Sequence, residues 1–294
     1  MIRTTKGIIF TEEEENEIKR MYLEDFLSPN KIGKHFNCCE TVIKRILLKN
    51  GVDLRKTSQT IKFNKNAFDI IDTEEKAYWI GFIWCDGYNC KRIRKSGNPT
   101  YEVNITLSEK DINHLNKLNN FLESSQTIKI YSNCRGYSKN TDCNEARLLF
   151  SNTYLGKKLE EEYGMIPNRK DCYKVVSKVP NNLMKHFIRG VFDAEGSFSI
   201  RNIGNHVKFH ASITTYESLI DFIQSYLYNN GIIKSINKKY KRHDNRDGEC
   251  VGVSYCGNNN IMNLLNWMYK DSNIYLDRKY DKYLQAEKLM NNKQ

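Results

Sequence analysis

Two acidic residues, Asp86 and Glu195, each close an apolar stretch and are each followed by a glycine. The stretches are Trp79-Ile80-Gly81-Phe82-Ile83-Trp84-Cys85-Asp86-Gly87 and Ile188-Arg189-Gly190-Val191-Phe192-Asp193-Ala194-Glu195-Gly196. Both read as helices, and a carboxylate at a helix C-terminus faces unpaired carbonyls and the negative end of the dipole. Two such carboxylates side by side make a negative well that a cation relieves. Hard oxygen donors suit Mg²⁺, which keeps several waters and takes further ligands from phosphate. The acids stand 109 residues apart, the offset that also relates Gly81 to Gly190, Gly87 to Gly196, and Asn168-Arg169-Lys170 to Asp277-Arg278-Lys279. An acid, two glycines and an Arg-Lys pair on one offset mark an internal repeat.

The elements around the acids explain how they could meet. Gly81 and Cys85, like Gly190 and Ala194, are small residues four apart on one helix face, so two such helices can approach closely and bring Asp86 beside Glu195. After each acid-glycine pair the hydrophobic period changes from helical to alternating. Tyr101, Val103, Ile105 and Leu107 alternate with polar residues in the first half, as do Val207, Phe209, Ala211 and Ile213 in the second; this is the pattern of half-buried antiparallel strands. Each half reads as helix, two strands, helix, two strands, helix. The predicted fold is therefore α+β, with two pseudo-symmetric αββαββα units whose four-stranded antiparallel sheets pack through the motif helices.

One face of each sheet must bury against helices, which leaves the other for solvent or a ligand. Basic residues crowd the four hairpins: Lys91, Arg92 and Arg94; Lys129, Arg135 and Lys139; Arg201, Lys208 and His210; Lys238, Lys239, Lys241 and Arg242. Four basic hairpins on two related sheets predict a long saddle for double-stranded DNA, since a two-stranded ribbon fits the major groove. The net charge of +11 agrees with a polyanionic partner.

Ahead of the repeat, Thr11 with Glu14 forms a capping-box signature, and Ser28-Pro29 opens a second helix. A third carries Val42, Ile43, Ile46 and Leu47 on one face and Thr41, Lys44, Arg45 and Lys49 elsewhere. Two short helices joined by a tight turn resemble a helix-turn-helix with its recognition helix. The expected organisation is a small all-α helix-turn-helix domain over 1–55, a basic linker over 56–72, and repeats over 73–182 and 183–294. Nine scattered cysteines without metal-ligand spacing predict reduced thiols. With no secretory signal at Met1–Lys6 and no apolar run near about 20 residues, the expectation is an intracellular protein without a membrane anchor.

The paired stretches, their spacing and the α+β order resemble the signature helices of the LAGLIDADG homing endonucleases in their two-motif, single-chain form. The resemblance covers roughly residues 73 to 290. It implies a monomer that cleaves both DNA strands at a long asymmetric site, using Mg²⁺ or Mn²⁺ held by Asp86 and Glu195. Lys170 and Lys279 fall where the family carries a basic residue near the scissile phosphates, which implies that they polarise the attacking water or stabilise phosphorane charge. Trp84 and Cys85 depart from the motif, and the second acid is Glu rather than Asp. A non-cleaving DNA-binding regulator and an RNA maturase using the same saddle remain alternatives.

Overall fold

The computed structural model describes residues 2–4, 7–25, 27–54, 62–94, 97–132, 144–167, 171–204, 206–241 and 250–291, with side chains from residue 9 onward. Contacts divide the chain into one unit over Met1–Lys62 and another over Phe63–Gln294.

The first unit opens with an antiparallel pair, β1 (Ile2–Thr4) and β2 (Gly7–Ile9), which the sequence reading did not anticipate. Three helices follow, α1 (Glu12–Leu23), α2 (Pro29–His35) and α3 (Glu40–Lys49). Thr11 and Glu14 exchange both bonds of the capping box, and Ser28 caps α2 with Pro29 at its first position. The apolar faces meet in a small core of Phe10, Ile18, Met21, Tyr22, Ile32, Ile43, Ile46 and Leu47. The α2–α3 turn is tight: a Cβ on Gly33 would lie 2.6 Å from the Cys38 carbonyl oxygen, and Asn37 takes φ of 50°.

The second unit begins before the repeat. Phe63, Ala67, Phe68 and Ile71 lie in the stretch expected as linker, yet they pack into the core, and Tyr163 Oη donates to the Phe68 carbonyl at 2.6 Å. The first copy comprises α4 (Glu74–Asp86), β3 (Gly87–Ile93), β4 (Pro99–Ser108), α5 (Ile112–Phe121), β5 (Lys129–Ser132), β6 (Asn144–Ser151) and α6 (Thr153–Glu161). After α7 (Tyr173–Lys178) the second copy runs α8 (Met184–Glu195), β7 (Gly196–Ile203), β8 (His206–Tyr216), α9 (Glu217–Asn229), β9 (Tyr240–Lys241), β10 (Cys250–Tyr255) and α10 (Asn258–Tyr269). A last helix, α11 (Asp277–Asn291), carries the second Arg-Lys pair.

Each copy forms a four-stranded antiparallel sheet, in the orders β3-β4-β6-β5 and β7-β8-β10-β9. The predicted α+β class and its two antiparallel sheets are what the structure contains, with α7 and α11 as additions. Strand alternation places Val103, Ile105, Leu148 and Phe150 of one sheet, and Phe209, Ala211, Ile213 and Val253 of the other, in a single core with both motif helices. No helix among the described residues is long and apolar enough to cross a membrane, and the described cysteines are free thiols.

Candidate carboxylate site and nucleic-acid interface

Both motif helices are buried because they form the seam between the copies. Thr73 caps α4 by accepting from the Lys76 amide, and residues Ala77 to Cys85 are all buried. The crossing is made by glycine in both directions. A Cβ on Gly81 would lie 2.4 Å from the Phe187 carbonyl oxygen, and one on Gly190 would lie 2.1 Å from that of Tyr78. Phe187 and Tyr78 are themselves related by the 109-residue offset, so the contacts are reciprocal, as a local twofold requires. Cys85 is buried near this seam and Ala194 is half-buried, but the backbone approach falls at the two glycines. Gly87 and Gly196 are extended, and a side chain at either would strike the carbonyl of Ile83 or Phe192; each helix therefore runs straight into a strand after its acid.

Asp86 and Glu195 are the last residues of α4 and α8, and both are half-buried. Both act electrostatically on the ammonium of Lys279. Lys279 is itself 4% exposed. Its Nζ donates to the carbonyls of Phe192 at 2.6 Å, Asp193 at 2.8 Å and Gly196 at 2.6 Å. Burial pushes its pKa down to about 8, with Asp193, Asp86 and Glu195 opposing that shift and Arg278 adding to it. An ammonium has three donors, and all three are taken by the end of α8. In this arrangement Lys279 aims no proton at water, its three donors being held by the Phe192, Asp193 and Gly196 carbonyls. Lys170 lies outside the described residues.

The seam also holds a polar network that sequence reasoning missed. Asp193 is 1% exposed and accepts from Tyr78 Oη at 2.7 Å, from the Leu276 amide at 2.8 Å and from Tyr269 Oη. Burial raises its pKa, while Lys279 and those donors pull it back. Since the Tyr78 proton goes to Asp193, His114 Nε2, 3.0 Å away, donates to Tyr78, and Nδ1 meets no hydrogen-bond partner among the described residues. Arg189 is fully buried and donates to the carbonyls of Ile274 and Met268, each at 2.9 Å, and to Glu74 at 2.7 Å. Glu74 belongs to α4, so this ion pair joins the copies. The legible signal was a charged Arg189 and Asp193 among the apolar residues Phe187, Ile188, Val191 and Phe192 of α8; a buried charge requires partners.

The sheet faces sort the basic residues. Lys91 sits on the helix-covered face, 3.1 Å from Glu160 of α6, with its ammonium over the Tyr101 ring. Lys239 likewise pairs with Glu217 and Asp221 of α9, and Lys241 is in register with the core-facing Val251. These three do not belong to the free face: Lys239, just ahead of β9, is held by α9, and for Lys91 and Lys241 successive strand residues point to opposite sides. Arg92 does, paired with Glu102 at 3.0 Å. Lys129 stands directly opposite Arg147 in one sheet, and Arg201 directly opposite Lys208 in the other, with His210 beside them. Directly opposed like charges destabilise a sheet, and none of these four cations has a carboxylate partner among the described residues.

Arg147, which lies over the Tyr131 ring at 4.8 Å, and the exposed Tyr88 and Tyr240 lie within strands rather than in the hairpin turns. Arg94 and Lys238 are exposed outside the strands. Arg135, Lys139 and Arg242 lie outside the described residues. On α3, Thr41 and Arg45 are exposed, Lys44 pairs with Glu40 at 2.6 Å, and Lys49 pairs with Glu15 of α1 at 2.7 Å.

The donor set fits a hard divalent cation of the Mg²⁺ kind. No group of three or more His, Cys, Asp or Glu side chains among the described residues could hold a metal ion. Asp86 and Glu195 are the carboxylates that would hold such an ion, with water and phosphate completing the shell, as Mg²⁺ prefers.

Residues 182–266, which contain α8, the whole of the second copy's sheet and most of α10, match the model of a LAGLIDADG-like domain. The chain is also similar to the uncharacterized protein MJ0314 of Methanocaldococcus jannaschii, at 29% identity over 208 residues that span 68% of this chain and 72% of that protein. Among solved structures it is similar to the meganuclease I-SmaMI bound to uncleaveable DNA, at 14% identity and a TM-score of 0.49 over 74% of this chain and 90% of that one. Another is the LAGLIDADG meganuclease I-AabMI bound to uncleaved DNA, at 16% identity and a TM-score of 0.47 over 74% and 91%.

Proposed function

We propose that this chain is a site-specific, divalent-metal-dependent endonuclease that hydrolyses both strands of duplex DNA as a monomer. The observation that carries the reading is the glycine-to-glycine crossing of α4 and α8, which delivers one carboxylate from each copy to the neighbourhood of a single ammonium. The LAGLIDADG-like match over the second copy supports it. Mg²⁺ or Mn²⁺ held by Asp86 and Glu195 would act as a Lewis acid toward the phosphate and its nucleophile.

The chain's own residues do the rest. The opposed pairs Lys129–Arg147 and Arg201–Lys208 neutralise phosphates, and a polyanion relieves the repulsion within each pair. Arg92 and His210 share the free faces and offer base-edge or phosphate contacts. In this reading Thr41 and Arg45 of α3 contact a flanking DNA segment in the manner of a recognition helix, while Lys44 and Lys49 must first give up Glu40 and Glu15. Because Glu195 is one methylene longer than Asp86, the two strands are cut at unequal rates.

The test is selection of cleaved sites from a randomised duplex library with Mg²⁺, followed by Asp86→Asn and Glu195→Gln on the selected duplex. Both variants should lose double-strand cleavage and keep DNA affinity within about 2-fold. Linearisation at the normal rate by either variant refutes the assignment of the acids. Retained binding without cleavage by the unaltered chain favours a DNA-binding regulator, and selective binding of structured RNA favours a maturase.

A further inference from the structure

The Asp277-Arg278-Lys279 tripeptide opens α11, and its three side chains grip three places. Asp277 pairs with Lys117 of α5, which also donates to the Tyr275 carbonyl at 3.1 Å. Arg278 Nε lies 3.1 and 3.0 Å from the two carboxylate oxygens of Asp111, just ahead of α5. Lys279 reaches the other way, into the C-terminus of α8. The first turn of the last helix therefore joins the first copy to the end of the second copy's motif helix.

What Lys279 does there follows from where its bonds land. The last carbonyls of a helix lack intrahelical partners and form the negative end of the dipole. Glu195, placed at that end, adds its own charge to theirs, and Asp86 comes from the neighbouring helix. A buried ammonium donating to Phe192, Asp193 and Gly196 satisfies carbonyls on both sides of Glu195 and offsets part of that charge. The three acceptors flank Glu195 in sequence, so they fix the backbone turn from which it projects.

We propose that Lys279 is a positioning residue: its ammonium locks the α8–β7 junction and so aims Glu195, and it takes no direct part in moving the proton of the attacking water. The functional half of this statement rests on the nuclease reading above; the lock itself does not. A lysine fits the socket because its three donors radiate from one atom, whereas the planar fork of an arginine cannot donate to three carbonyls around one point.

The experiment compares Lys279→Met and Lys279→Arg in the full chain. Hydrogen exchange of the amides from 194 to 197, measured without DNA or metal, should quicken by about 10-fold in both variants, while exchange in the rest of α4 and α8 stays as in the unaltered protein. On the selected duplex at saturating enzyme, both should lower the single-turnover rate by about 10- to 100-fold, as loss of a group supporting a metal ligand does. DNA affinity should stay within about 2-fold, a split that a phosphate contact would not give.

Unchanged exchange in both variants overturns the lock. Quickened exchange with an unaltered rate overturns the positioning of Glu195. Full protection and full rate in Lys279→Arg also overturn it, because charge alone would then suffice. An unaltered chain that cleaves no selected duplex sinks the nuclease reading instead, and the exchange arm still decides whether Lys279 is the lock.

Discussion

Substituting Gly190 by alanine tests the crossing on which the site depends. The new Cβ would stand 2.1 Å from the Tyr78 carbonyl oxygen and 3.0 Å from the Phe82 amide nitrogen. Both neighbours are backbone, so no rotamer change can absorb the clash, and the helices must part by roughly 1 Å. Overpacking of this kind costs about 1–3 kcal/mol, and a rigid neighbour puts the cost at the upper end. Replacing glycine inside a helix returns about 1 kcal/mol of propensity. The expected net loss is about 2 kcal/mol, or roughly 4–8 °C in Tm for a unit of this size. Trp79 and Trp84 are fully buried in α4, so denaturant unfolding followed by tryptophan fluorescence reports the seam directly. The same displacement of the acids should lower cleavage by about 10²-fold. An unfolding free energy within about 0.5 kcal/mol of the unaltered protein would refute the reasoning, because it would mean that the helices do not meet at Gly190.

Further outcomes follow from other parts of the structure. Replacing Lys129, Arg147, Arg201 or Lys208 singly by alanine should reduce the salt slope of DNA binding by about 1 and leave the saturated cleavage rate alone; an unchanged slope would remove that residue from the interface. Burial, with repulsion from Lys117, Lys279 and Arg278, pushes the pKa of His114 down from 6.5 to about 3. The folded state thus refuses a proton that the unfolded chain accepts, and the stability present above pH 6.5 is lost as pH falls toward 3. By pH 5 the loss is about 2 kcal/mol, and urea unfolding should show that His114→Gln flattens the dependence. Deleting residues 1–62 should shorten the DNA footprint at one end while cleavage survives at saturating enzyme; a full-length footprint would exclude α3 from recognition.

The sequence by itself determined the repeat, the order of strands and helices within each copy and the ends of the motif helices. Those features are written in local terms: hydrophobic period, capping residues and one offset shared by acid, glycine and Arg-Lys positions. It also determined which residues share a strand face, since side chains alternate along a strand. Which face is covered was decided by the packing of α6 and α9, which supply Glu160, Glu217 and Asp221 and so draw Lys91 and Lys239 away from the free side. Lys279 is the sharper case. Its offset marked it as part of the site, yet its task depends on carbonyls more than eighty residues earlier in the chain, and no periodicity records where a helix end will stop in space. The partners of Arg189 and Asp193 were equally hidden. A buried charge is tolerated only through groups gathered from several elements, and only the folded chain brings Glu74, Tyr78, Tyr269 and Leu276 to them.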